Sequence, residues 1–364
     1  MRIIRNYVLK EFIGAFLLSI VFFSGFMILG NLFKVANLII TKGLSVNYAL
    51  KFLLYSLPTF VCLGIPVASL IASLMSLGKM AQDNEIIALQ TSGFSFLKII
   101  EPLIIVGIIL VLVSLILFFQ VIPTSLYLQR STIKKMAKET PQAFFEPGSF
   151  INVFKDTLIF VYNVRGNNLY NIFIYKSEGD KTRTIFAPKA KFIITEENKV
   201  KLKLMDGVSD EIDPQNPNKF YKLKFKNLFL TLDMKKREKM AKKPKDMTWQ
   251  EIKNHLNDSP VNIPFKIEFY KRINMSLMPL LFIILGAGLT QKIHIKSKSL
   301  NICLGFIIAG LFYILLIFMQ GLSIQNKIAP FWGLSTPSLI FGILGVYLLF
   351  KDDISRTLYS YKLD

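Results

Sequence analysis

Six stretches of about 20 residues or more carry almost no charge, and each is long enough to cross the ~30 Å hydrocarbon core of a bilayer as a helix. They run approximately Phe12–Phe33, Phe52–Gly78, Pro102–Pro123, Ile273–Gln291, Leu300–Ile324 and Ile328–Phe350. A segment in lipid must satisfy its own backbone N–H and C=O groups, so stretches of this kind dictate helices. Nearly all the charge lies between or beyond them. The apolar content, 52%, is close to the about 45–50% of soluble domains, so the segregation of charge sets the class, not the amount. The first stretch is longer than the about 7–15 residue core of a signal peptide, and no small-x-small site follows it. It is expected to remain as a helix and to target the chain to the inner membrane.

The layout is therefore three spans (residues 1–129), an inserted extramembrane domain (130–262) and three further spans (263–364). Within residues 1–11, Arg2, Arg5, Lys10 and Glu11 alternate with Ile3, Ile4, Tyr7, Val8 and Leu9. That pattern predicts a short amphipathic helix on the membrane surface before the chain turns in. Placing both termini in the cytoplasm collects Arg2, Arg5, Lys10, Lys79, Lys98, Lys292, Lys296, Lys298, Lys351, Arg356 and Lys362 on that side. The short outer loops then hold only Lys34, Lys42, Lys51 and Lys327. The bias favours this orientation over the reverse. The basic middle domain falls outside, which is no contradiction, because long domains translocate largely regardless of charge.

The middle domain switches period. Thr157–Val164, Asn171–Tyr175, Lys189–Thr195, Lys199–Met205 and Tyr221–Leu230 are rich in Ile, Val, Phe and Tyr, and several alternate apolar with polar residues. Period-two alternation predicts half-buried strands. Turn signals separate them, among them Arg165-Gly-Asn-Asn, Ser177-Glu-Gly-Asp, Asp206-Gly207 and Asp213-Pro-Gln-Asn-Pro, so an antiparallel sandwich or jelly roll is expected. Asp233–Lys253 is a charged linker. Thr248-Trp-Gln-Glu251 within it has the capping-box pattern of a helix start.

The chemistry of the chain is sparse. Cys62 and Cys303 lie in apolar spans and are expected to be small buried residues; His255 and His294 are isolated, so no metal site is expected. The span interiors contain no ionisable side chain, which argues against a proton relay. No phosphate loop, nucleophile elbow or His-Glu-x-x-His motif is present. The adjacent carboxylates Glu196-Glu197 and Asp352-Asp353 point in different directions on any regular element. The basic run Lys235–Lys245 suits nucleic acid by composition but has none to meet outside the membrane. The chain reads as a non-enzyme that binds no cofactor, and any work it does is powered by a partner.

One segment suits that role. The loop between spans two and three contains Asn84-Glu-Ile-Ile-Ala-Leu-Gln-Thr-Ser-Gly93. Asp83 or Asn84 is positioned to cap a short helix, Gly93 to end it, and Glu85 to favour its dipole. Such a helix is expected to show Glu85, Ile86, Ile87 and Leu89 to the cytoplasm and to plug a groove on a soluble protein. The alternative is an interfacial helix resting on lipid. Glu268 and Arg272, four apart just ahead of span four, are expected to form a structural pair at the membrane boundary.

The stretch Pro58–Pro102, with Pro66, Gly78-Lys79, the Asn84–Gly93 segment, Lys98 and Pro102, resembles the YjgP/YjgQ permease family, which comprises LptF and LptG. The amphipathic start, Asp206-Gly207 and Glu268-Phe-Tyr-Lys-Arg272 agree, and the spacing around Phe33-Lys34 and the loop Val35–Tyr48 is more LptF-like. The resemblance implies a membrane subunit of an ATP-driven lipopolysaccharide exporter, and a periplasmic jelly roll in the middle. It implies a paralogous LptG-like subunit or second copy, an LptB-like cytoplasmic ATPase dimer that uses ATP and Mg, and an LptC/LptA-like jelly-roll bridge as partners. Asn84–Gly93 would be the coupling helix, with Glu85 at the family's acidic position. Lipid would enter between the first span of one subunit and the fifth of the other. Lys34 matches a basic position and, with Lys42 and Lys51 as weaker candidates, would meet an anionic lipid head group; for all three the alternative is a snorkelling interfacial lysine. A competing reading is a non-transporting scaffold that recruits envelope proteins through the outer domain. Lipoprotein release fits less well, because the large domain here follows the third span.

Overall fold

Long uncharged segments become long helices. A computed structural model of the chain describes residues 2–42, 46–139, 148–154, 156–165, 168–178, 181–195, 199–212, 220–233, 242–258, 263–292 and 298–360. Six helices are long and apolar enough to cross a membrane, three before an inserted β domain and three after it. The chain forms two compact units. One comprises Met1–Asn31, Leu53–Leu128 and Lys242–Asp364, and the other Leu32–Phe52 and Gln129–Ala241.

The first helix, α1 (Arg2–Lys42), is continuous, so the amphipathic start does not turn before span one. Nothing between Glu11 and Phe12 breaks a helix, and Val8 and Phe12 are both fully buried in one apolar cluster with residues of the following spans. Forty-one residues rise about 60 Å, roughly twice the hydrocarbon thickness. The next helix, α2 (Val46–Gln82), begins four residues after α1 ends, so most of the expected Val35–Tyr48 loop is helical. After the short α3 (Glu85–Thr91), span three is α4 (Phe96–Ile116), a π-helical turn at Leu117–Val121 and α5 (Ile122–Glu139). A short α6 (Trp249–Asp258) precedes α7 (Ile263–Lys292), α8 (Lys298–Ile324) and α9 (Pro330–Ser360).

Within the helical unit α2 and α7 are the most buried spans. Lipid tails give no hydrophobic drive for helices to pair, so small residues and uncharged polar side chains hold them. The Ser73 hydroxyl donates to the Ile283 carbonyl at 3.1 Å, and the Tyr313 hydroxyl to the Leu63 carbonyl at 2.7 Å. Asn274 donates to Ser335 Oγ at 3.2 Å and accepts from the Ser338 hydroxyl at 2.5 Å, which ties α7 to α9. Gly345 of α9 packs directly on the Leu285 backbone. The outer helices turn apolar residues outward instead: Ile105, Ile109 and Leu112 on α4, and Ile307, Ile314 and Ile317 on α8, are all exposed. Cys62 is buried as expected, whereas Cys303 of α8 is exposed.

The β domain is one six-stranded antiparallel sheet, β1 (Ser149–Phe154), β2 (Thr157–Arg165), β3 (Asn168–Glu178), β4 (Lys181–Thr195), β5 (Lys199–Ile212) and β6 (Phe220–Asp233), in sequence order. It is a meander without crossovers rather than a Greek-key jelly roll among the described residues. Three turn signals fall where expected, between β2 and β3, β3 and β4, and β5 and β6. Asp206-Gly207 does not: it lies inside β5.

That exception marks a crease. Counting along the register, Tyr162, Asn171, Pro188, Asp206 and Lys226 are successive cross-strand neighbours, and pairing is interrupted at each. Asn171 and Asp206 take positive φ, 51° and 53°. At this line the inward positions are spaced three apart rather than two: Val161 to Val164, Leu169 to Ile172, Ala187 to Ala190, Leu204 to Gly207 and Phe225 to Leu228. An aligned row of unpaired positions, with the same register on either side, creases five of the six strands at one height. A single sheet can then curl over a core of Ile159, Ile172, Ile174, Ile185, Leu202 and Leu204, all fully buried. A side chain at 207 has no room, since a Cβ there would lie 2.4 Å from the Phe186 carbonyl oxygen and 2.4 Å from Phe225 Cζ. We therefore expect Gly207→Val to destabilise the β domain by about 2 kcal/mol. The readout is faster protease cleavage within 149–233 of the detergent-solubilised chain, with the helical unit unaffected.

Candidate functional site

The α2–α4 connection is the part of the helical unit where charge, a short helix and exposed apolar surface meet. α3 ends as its sequence dictates. Gly93, at φ 89°, donates to the Gln90 carbonyl at 3.0 Å, and Phe94 donates to the Leu89 carbonyl at 3.1 Å, which is a Schellman motif. Its start differs from expectation. Asn84 precedes the helix in the left-handed region, φ 57°, and its side chain makes no cap. The carbonyl of Asn84 instead accepts from Ala88 N–H at 3.0 Å, and Glu85 supplies negative charge in the first turn.

The face α3 presents also differs. Ile86 is buried in the cluster of Val8, Phe12, Met80, Phe96 and Ile99, and Leu89 packs half-buried against it. Positions 86 and 89 share one side of a helix, and α1 and α4 cover that side. Ile87, 49% exposed, is the apolar residue left outward, beside exposed Asp83, Asn84, Ala88 and Gln90. Glu85 is half-buried and accepts a 3.0 Å bond from the Tyr7 hydroxyl, so α3 is tied to α1. One turn further along α1, Glu11 pairs with Lys79 of α2 at 2.7 Å. Sequence reading missed both ties, whose partners are 78 and 68 residues apart.

A second assembly forms around Arg272. This side chain belongs to α7 and is only 2% exposed. Its Nε donates to Glu268 Oε1 at 3.0 Å, the expected i,i+4 pair. Its remaining nitrogens donate to the carbonyls of Met247 at 2.7 Å, Lys245 at 3.0 Å and Pro244 at 3.1 Å. The guanidinium lies 5.7 Å from the Phe119 ring centre, and Phe119, at the π-helical turn, packs edge-on to Trp249 at 4.7 Å. One buried arginine thus pins the returning linker, a 3₁₀ turn at Pro244–Asp246 and the start of α6. The capping pattern at 248–251 forms in part: Thr248 N–H donates to Glu251 Oε2 at 2.9 Å. Burial works to raise the Glu251 carboxyl, but Lys242 and Thr248 outweigh it and hold the group below the usual carboxylate range. This tie is intact above the ordinary carboxylate pKa and is lost as pH falls through the depressed one.

The lysines expected at a lipid head group are on helices. The side chains of Lys34 and Lys42, on α1, lie outside the described residues. Lys51 of α2 is exposed, with its ammonium 5.9 Å from the Tyr48 ring centre. An open apolar groove of about 600 Å³ runs between α7 and α9, lined by Leu277, Leu281, Phe331, Leu339, Ile343 and Val346. Among the described residues no cluster of three or more His, Cys, Asp or Glu is arranged to hold a metal.

Residues 6–351 match a family model described as the lipopolysaccharide export system permease LptF/LptG, a description that covers both subunits without separating them. No curated protein matches the chain.

Breaking the arginine junction leaves Glu268 and three carbonyls without their donor. We expect Arg272→Gln to cost about 3–5 kcal/mol. It should appear as a lower Tm in detergent and as new protease cleavage within 242–258. Tyr7→Phe removes one hydrogen bond and should cost about 1 kcal/mol without exposing that linker.

Proposed function

The chain belongs to the LptF/LptG family of lipopolysaccharide export system permeases, and from that premise we propose that it is one membrane subunit of an exporter driven by a separate cytoplasmic ATPase dimer. Both termini lie in the cytoplasm and the β domain in the periplasm. The subunit pairs with a paralogue or a second copy, and draws lipopolysaccharide or a related anionic glycolipid from the inner membrane. Its β domain passes the lipid to a periplasmic bridge of similar fold. ATP and Mg are used by the ATPase, and α3 is the coupling helix. Lys34, with Lys42 and Lys51, meets the anionic head group.

The observation that carries the coupling role is the bracing of α3. Ile86 is packed inward, Glu85 is tied to Tyr7, and Ile87 faces out. A force on Ile87 is therefore delivered to α1 and α4, whereas a helix merely resting on lipid has no need of a polar tie to another element. A scaffold reading has one observation in its favour: an outward row of Phe150, Phe160, Phe173 and Phe186 across the sheet, with ring centres 4.6–6.5 Å apart. A photoreactive residue at Lys34 separates the two. A lipid adduct during ATP turnover supports export, and none favours the scaffold.

The purified chain alone is expected to hydrolyse no ATP. Glu85→Ala should lower copurification with the ATPase about tenfold, the loss of one charge-assisted hydrogen bond. Tyr7→Phe, which keeps the carboxylate, should retain the partner. Unchanged ATPase binding in Glu85→Ala removes the coupling role from this residue.

A further inference from the structure

A second cleft opens beside α3. It has a volume of about 170 Å³ and lies between the first turns of α1 and the start of α4. Its lining comprises Arg2, Ile4, Arg5, Phe94, Lys98, Ile99, Glu101, Pro102 and Ile105. Three exposed cations, Arg2, Arg5 and Lys98, surround it against one acid, Glu101, and none of the four forms an ion pair with another described residue. The free N–H groups of α4, a 21-residue helix, add partial positive charge at the same end. The floor is different in kind: Ile99 and Pro102 are buried, and Ile4 and Phe94 half-buried. From there the apolar lining continues through Ile105 onto Ile108, Ile109 and Leu112, the outward face of a membrane span.

A cationic mouth and an apolar trail that joins a bilayer-facing helix match the two ends of one kind of molecule. We propose that this cleft binds the phosphate of an anionic glycerophospholipid, with an acyl chain lying along Ile105, Ile109 and Leu112. Arg2 and Arg5 clamp the phosphate oxygens as paired donors, Lys98 supplies a third charge, and Glu101 accepts from a head-group hydroxyl. The apolar trail distinguishes a lipid from free phosphate, which would use the cations alone. The site is separate from the export substrate, since it sits at the charged ends of α1 and α4. The proposal requires only that these helices cross a membrane. Because Phe94 lines the cleft immediately after Gly93, the bound lipid also buttresses the end of α3.

Native mass spectrometry of the full chain in mild non-ionic detergent tests this, with phosphatidylglycerol or phosphatidylcholine added at equal concentration. Phosphatidylglycerol should be retained selectively. The triple variant Arg2→Gln/Arg5→Gln/Lys98→Gln should bind it on the order of a hundredfold more weakly, from about 1 kcal/mol per surface cation, with phosphatidylcholine unchanged. The charge-conserving triple Arg2→Lys/Arg5→Lys/Lys98→Arg should bind between the natural chain and the neutral triple, since lysine keeps the charge but not the paired donors, which separates charge loss from misfolding. Equal retention of the two lipids by the natural chain overturns the proposal. So does undiminished phosphatidylglycerol binding in the neutral triple, or inorganic phosphate displacing the lipid at comparable concentration.

Discussion

The structure depends on one constraint: a segment surrounded by hydrocarbon must pair its own backbone N–H and C=O groups. The spans meet it as helices, keep charge out of their middles, and use hydroxyls and one amide as cross-ties. Ser73 to Ile283, Tyr313 to Leu63, and Asn274 to Ser335 and Ser338 join α2, α7, α8 and α9 without placing a net charge in the bilayer. The charged side chains of the spans gather toward the helix ends.

At those ends the charges clamp elements together. Arg272 exchanges the hydration of a guanidinium for four hydrogen bonds and so fixes where the linker from the β domain rejoins the spans. Tyr7 with Glu85, and Glu11 with Lys79, fix α1 against the segment that carries α3. Removing one partner of such a group costs far more than the intact set contributes, because the other is left desolvated. A short helix held in this way, as α3 is by Tyr7 and by the cluster around Ile86, is braced against its neighbours.

Much of this was legible in the sequence. Six spans, their three-plus-three division, the inserted β domain and the stop at Gly93 all follow from short-range signals: charge segregation, alternation and a glycine at a helix end. The rest depends on partners distant in the chain. Ile86 and Ile87 are indistinguishable in sequence, and only the packing of Val8, Phe12 and Phe96 decides which is hidden. Arg272 looks like half of an i,i+4 pair until the linker carbonyls are brought to it. The crease hid for a related reason. Asp206-Gly207 has the composition of a turn, and the five strands reveal its role only when their registers are aligned. Continuous α1 was missed because a polar-to-apolar change in composition does not by itself bend a helix.

The central claim is that α3 meets a soluble ATPase through the face bearing Ile87. Photocrosslinking tests it most directly, with a photoreactive amino acid placed singly at Ile87 or at Ile86 in the full chain in cell membranes. Ile87 should crosslink a cytoplasmic ATPase subunit, while Ile86, facing inward, should give at most intramolecular products. Crosslinks from Ile87 to lipid alone, or equal ATPase crosslinking from both positions, would contradict the account.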